Sequence, residues 1–180
     1  FIKKLTASSS ATLSFVDGAS SVVLDNTYKE YLFIFKDIHP ETNTTKLQIN
    51  ASADTGSNYN VTKTTTYFQA YHTESDSASA LSYYTNRDLA QSTSAQQLKD
   101  IGNTSDDSAA GTLHLFNPSS TTFVKHFISE FVGPTGESTQ NLHHSFVGGY
   151  FNTTSAIDAI QFSMSSGNID AGTITLYGIN

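Results

Sequence analysis

Ile160-Gln161-Phe162-Ser163-Met164 and, further on, Thr173-Ile174-Thr175-Leu176-Tyr177 both place apolar side chains at alternate positions. Successive side chains of an extended chain point to opposite faces, so each run is a strand with one oily face. The connection Ser166-Gly167-Asn168-Ile169-Asp170-Ala171-Gly172 offers Gly and Asn where positive φ is needed, and it is longer than the two-residue loops of tight hairpins. The pattern predicts a β-hairpin within 156–179. A lone ribbon is marginal in water, and burying each Ile, Phe, Met or Leu contributes only about 1.5–3 kcal/mol, so a second sheet must cover this face.

The rest of the chain supplies strands of the same kind. Thr12 to Val16 ends at an Asp17-Gly18 turn, and Val22 to Leu24 makes a second short run. Tyr31-Leu32-Phe33-Ile34-Phe35 is apolar on both faces, which predicts a central strand covered by the opposing sheet on one side and by a loop or another subunit on the other. Where another subunit is the cover, Tyr31, Phe33 and Phe35 are the expected oligomer interface. Leu47, Ile49 and Ala51 alternate with polar residues, and Thr64 to Tyr71 follows across a polar turn, as in a hairpin. Thr112 to Phe116, Phe123 to Val132 and His144 to Phe151 continue the series, and Gly148-Gly149 marks a bulge or a close backbone approach.

Between Thr73 and Ser108 the pattern weakens. One short strand is expected at Leu81 to Thr85 and a stub of helix around Leu89 to Leu98. About eight or more strands, frequent turn signals and no long helix predict an all-β fold: an antiparallel β-sandwich of jelly-roll or Greek-key type. Residues 1–10 read as an N-terminal arm or edge strand, and 11–180 as a single sandwich domain.

Composition limits the chemistry. Apolar residues reach 37% in patterned runs against 14% charged, so the chain folds. A net charge of −7 lacks the basic stripe that phosphate binding demands, so no nucleic-acid partner is expected. Without cysteine there are no disulfides or thiolate sites, as suits a reducing cytosol. No run approaches the roughly 20 apolar residues of a membrane span, and no membrane partner is expected.

Nucleophile elbows, zinc-protease helices and phosphate loops are missing from the sequence, so neither an enzyme nor a cofactor is expected. His72, Glu74 and Asp76 would share one face of a strand, but they read first as a solvated loop entrance. His114, His126, His143 and His144 read as core or surface residues, and Asp106, Asp107 and Asp170 lack the alternation of a calcium loop. Tyr83 and Tyr84, beside Asn-rich loops, are the candidate ligand loop, where rings would stack on a sugar.

The stretch from Phe151-Asn152-Thr153-Thr154-Ser155 through Ser165-Ser166-Gly167-Asn168-Ile169-Asp170-Ala171-Gly172-Thr173-Ile174-Thr175-Leu176-Tyr177-Gly178-Ile179 resembles a C-terminal signature of virion-associated proteins of marine tailed bacteriophages. The opening, with Ser8-Ser9-Ser10-Ala11-Thr12-Leu13-Ser14-Phe15 and Tyr28-Lys29-Glu30-Tyr31, is similar to the same group. The resemblance implies a virion structural protein, made in the bacterial host's cytoplasm and carried on the outside of the particle. As a decoration or cement protein it would bind the major capsid protein or another virion protein through an arm, Phe1, Ile2, Lys3, Lys4 and Leu5, and form a homo-oligomer, a trimer by expectation. The alternative is a tail-fibre or receptor-binding module contacting a host glycan.

Overall fold

A computed structural model describes residues 1–136 and 141–180. It contains twelve strands in chain order: β1 (Lys3–Thr6), β2 (Thr12–Val16), β3 (Glu30–Pro40), β4 (Thr45–Ser52), β5 (Lys63–Thr73), β6 (Ser79–Tyr83), β7 (Gln96–Ile101), β8 (Ala109–Phe116), β9 (Lys125–Pro134), β10 (Asn141–Phe151), β11 (Ala159–Met164) and β12 (Ile169–Ile179). Among the described residues the only helical turn is a 3-10 turn at Thr85–Arg87. All strand pairs are antiparallel. Eight strands form one sheet, ordered β1-β12-β3-β8-β9-β10-β5-β6, and four form the other, ordered β2-β11-β4-β7. The molecule is the antiparallel β-sandwich that the alternation predicts.

The core follows from that alternation. Phe15 and Phe162 project from the small sheet and Phe33, Phe35 and Phe131 from the large one, all 2% exposed or less. Phe162 meets Phe15, Phe33 and Phe35 edge-on, with ring centroids 6.4, 5.4 and 4.9 Å away. Edge-to-face geometry sets the positive rim of one ring against the negative face of the next. Two sheets closing on one aromatic cluster fix the sandwich.

Several expectations need correction. The terminal runs are not a hairpin: β11 pairs with β2 and β4 in the small sheet, and β12 with β1 and β3 in the large one. The connection is an arch, so the two oily faces point at each other across the core instead of lying side by side. β4 and β5 likewise belong to opposite sheets. No strand forms over Val22 to Leu24, although both end residues are buried. The helix stub is also not found: the segment ends in β7, whose Gln96-Gln97-Leu98-Lys99-Asp100-Ile101 is buried throughout. A register shift against β4 and the strand's polar side chains hide any alternation.

β1 is an edge strand on β12, and its Leu5, with Ile2 just before it, packs against the chain's own core. Gly149 is a close approach rather than a bulge. Pairing of β10 with β5 and β9 runs through it without a shift, and a Cβ there would lie 2.7 Å from Thr65 Cγ2 and 2.9 Å from Phe127 Cζ.

Candidate functional site

Two surfaces remain once the aromatic core is accounted for, one inside the sandwich and one outside it. Inside, the small sheet is too narrow to cover the large one. Its edge strand β7 lies against β9 and β10, leaving β5 and β6 beyond it. The segment after β6 continues along the edge of β5, tied by Thr65 N to Leu89 O at 2.9 Å and by the Lys63–Ser92 bridge, and its Arg87 side chain reaches over the ring of Tyr67. Inward positions of β5, β7 and β10 in this region are polar, including Lys63, Gln69, Gln96, Lys99, Asp100, His143 and Ser145, each less than 9% exposed. Burying such groups is costly unless each finds a partner.

Partners are present. Arg87 pairs with Asp100 at 2.6 Å and lies 5.0 and 4.8 Å from the ring centres of Tyr67 and Tyr84. The Gln69 carbonyl oxygen accepts from Tyr67 Oη at 2.9 Å and from Arg87 Nη1 at 3.0 Å, which orients its amide nitrogen toward His143 Nδ1, 3.1 Å away. His143 Nδ1 is then the acceptor, and the neutral ring carries its proton on Nε2. Lys63 reaches the Ser94 carbonyl at 2.7 Å, and burial lowers its pKa to about 8. Lys125 anchors the Thr153 and Ser155 carbonyls at 3.0 and 2.6 Å.

Burial holds the pKa of His143 down to about 4, with the Lys99 charge adding to the effect. This sets a pH dependence. The unfolded chain takes up a proton at this residue near pH 6.5, whereas the folded chain does so only near pH 4, so stability falls as pH drops through that window. The loss is expected to be roughly 2–3 kcal/mol in urea unfolding between pH 7 and pH 4. His143→Gln should remove most of this dependence.

The network opens into a cavity of about 480 Å3, lined by Gln69, Tyr71, Tyr84, Arg87, Asn141 and His143 with Thr73, Ser77 and Ala78 at its mouth. Tyr84 belongs to this cavity and Tyr83 does not. Tyr83 pairs with Phe68 in register on the outer face, is 56% exposed and donates its hydroxyl to Asp88. The pair expected to form one ligand loop is therefore split by the alternation of extended chain.

Outside, the open face of the large sheet is unusually apolar. Cross-strand rows run Ile34, Thr112, Glu130, Phe146, Phe68, Tyr83 and, beside them, Ala110, Val132, His144, Ala70, Leu81. Ile34, Phe68, Leu81, Ile128, Val132 and Leu142 are each at least 37% exposed. Glu130, the carboxylate in these rows, is hydrogen-bonded to His144 at 2.6 Å, and Glu30, at the start of β3, to His114. Tyr31, Phe33 and Phe35, expected at an oligomer contact, face the chain's own core at 2% exposure or less and no second subunit can reach them. Their neighbours Leu32 and Ile34 carry the other apolar face of that strand.

The remaining candidates disperse. Phe1 stays outside, 78% exposed, and leans on Tyr177; Lys4 is exposed. His72 meets Asp76 at 3.0 Å, and among the described residues no three His, Asp or Glu side chains converge on a common point. Sequence reasoning missed Gln69, Arg87 and Asn141, because a polar residue on a strand reads as solvent-facing. In comparisons with known proteins, the chain matches no protein family, no curated protein and no solved structure.

Proposed function

We propose that this chain is a structural subunit of a tailed-phage particle, an outer decoration protein of the head that self-associates through the open face of its large sheet. The observation that carries the reading is that face: a contiguous apolar surface, exposed in the single chain, of the kind that marks interaction sites. The phage assignment rests on the sequence resemblance of the two ends of the chain.

A second copy is the occupant favoured by charge and shape. The whole chain carries −7, yet the rows of this face hold a single carboxylate, Glu130, which is hydrogen-bonded to His144, so little of that charge lies where two copies would meet. Ridges at Ile34, Ile128 and Val132 stand beside troughs over Ala110-Gly111 and over Thr66 with Gly148-Gly149, so the face offers both knobs and holes to its own copy. A face meeting itself is isologous and closes as a twofold pair, which favours a dimer over the trimer expected from sequence. Phe1, Lys3 and Lys4 at the opposite edge then remain for the capsid contact.

Sedimentation of the purified chain tests the contact. The wild type is expected to sediment as a dimer whose melting temperature rises with protein concentration, and the Ile128→Asp, Val132→Asp double variant as a folded monomer whose melting temperature does not, since both side chains are solvent-exposed in the single subunit. Loss of central apolar contacts should cost about 2 kcal/mol or more each, roughly thirtyfold in affinity. A monomeric wild type contradicts self-association.

A further inference from the structure

We propose that the cavity between the inner faces of β5 and β10 and the turn after β6 is a binding site for a neutral sugar unit. The site lies on the opposite side of the large sheet from the assembly face and does not depend on it. Its volume of about 480 Å3 falls within the roughly 300–1,000 Å3 typical of small-molecule sites. Its lining decides the class of ligand.

An anion would require an uncompensated cation. Arg87 is the cationic side chain of the lining, but it is bonded to Asp100 at 2.6 Å and already donates to Tyr67 and Gln69. A cation would require a carboxylate, and the lining has none. A purely apolar ligand would cover the Nε2–H of the His143 imidazole, which has no acceptor among the described residues, at the cost of burying a polar group. A molecule that is neutral, dense in hydroxyls and able to show a C–H face to an aromatic ring avoids all three penalties.

Each feature has a counterpart on a pyranose. His143 Nδ1 is taken by Gln69, which leaves Nε2–H as a donor with no protein acceptor among the described residues. Burial keeps the ring neutral at pH 7, so it donates a hydrogen bond without presenting a charge. Asn141 adds a polar amide to the lining. Tyr71 and Tyr84 supply rings at the lining, Tyr84 held edge-on to Tyr67 at 6.1 Å and against the Arg87 guanidinium. The Arg87–Gln69–His143 chain fixes these groups before any ligand arrives, which reduces the ordering cost of binding.

Saturation-transfer NMR tests the proposal with the methyl glycosides of glucose, galactose, mannose and N-acetylglucosamine in one arm and the free sugars in the other, so that glycan-linked and free sources are told apart. At least one neutral sugar should bind with a dissociation constant in the millimolar range or tighter. Glucuronate should bind more weakly than glucose. Ala78→Trp fills the mouth from an exposed position and should weaken binding at least about tenfold while leaving the melting temperature unchanged. His143→Phe should also weaken binding, by deleting the donor. Failure of every neutral sugar to bind, preference for glucuronate, or binding that survives Ala78→Trp would overturn the proposal.

Discussion

Phe162→Ala is expected to cost about 3–5 kcal/mol of folding stability, the range for emptying a buried aromatic site. Phe162 is fully buried and touches rings from both sheets, Phe15 on its own side and Phe33 and Phe35 across the core. The surrounding rings belong to strands fixed by backbone pairing, β2 beside β11 and β3 between β12 and β8, so they cannot collapse into the space. Single domains typically hold only about 5–15 kcal/mol in total, and the change should lower the urea midpoint steeply at constant slope. Phe162→Leu, which keeps most of the volume, should lose clearly less. Equal loss in the two variants would show that ring packing between the sheets does not hold the sandwich together.

Arg87→Met should be nearly as damaging, at about 3 kcal/mol, for an electrostatic reason. Asp100 is 6% exposed, and without the guanidinium its carboxylate stays buried with only the Gln97 amide, 3.1 Å away, as a side-chain hydrogen-bond donor among the described residues. Removing one member of a buried ion pair costs more than removing both. The double variant Arg87→Met, Asp100→Asn should therefore be more stable than the sum of the two single losses predicts, and urea unfolding of the four proteins reads the coupling directly. Additive losses would mean that the pair contributes nothing specific and that Arg87 acts only through its stacking on Tyr67 and Tyr84.

These two residues mark where the sequence was legible and where it was not. Phe162 and its partners lie in runs of strict period two, and a side chain of that size on such a run has to face a core. Alternation says which side chains share a face, but it does not say which strand lies alongside. β11 and β12 therefore read as a hairpin when they form opposite walls. The length of the connection gave no warning, since only residues 165–168 separate the two strands and hairpin loops of that length are common.

Arg87 and β7 were hidden for another reason. Gln96, Gln97, Lys99 and Asp100 are charged or amide side chains, ordinarily outside, and here they are inside because each lies within reach of another buried polar group. Such compensation is a property of three-dimensional neighbours and leaves no local pattern. Tyr31-Leu32-Phe33-Ile34-Phe35 falls between the two cases. Its double apolarity predicts one face for the opposing sheet and one for a loop or another subunit, but pattern alone does not tell the two faces apart. The structure turns Tyr31, Phe33 and Phe35 inward and leaves Ile34 at 37% exposure.

The central claim is that the open face of the eight-stranded sheet is an assembly surface on a phage particle. The decisive measurement is cryo-electron microscopy of phage particles from the source of this chain. The account predicts many symmetry-related copies on the outside of the head, with Ile34, Ile128 and Val132 buried against a second copy. Particles that lack the chain, or that carry it with this face open to solvent, would contradict it.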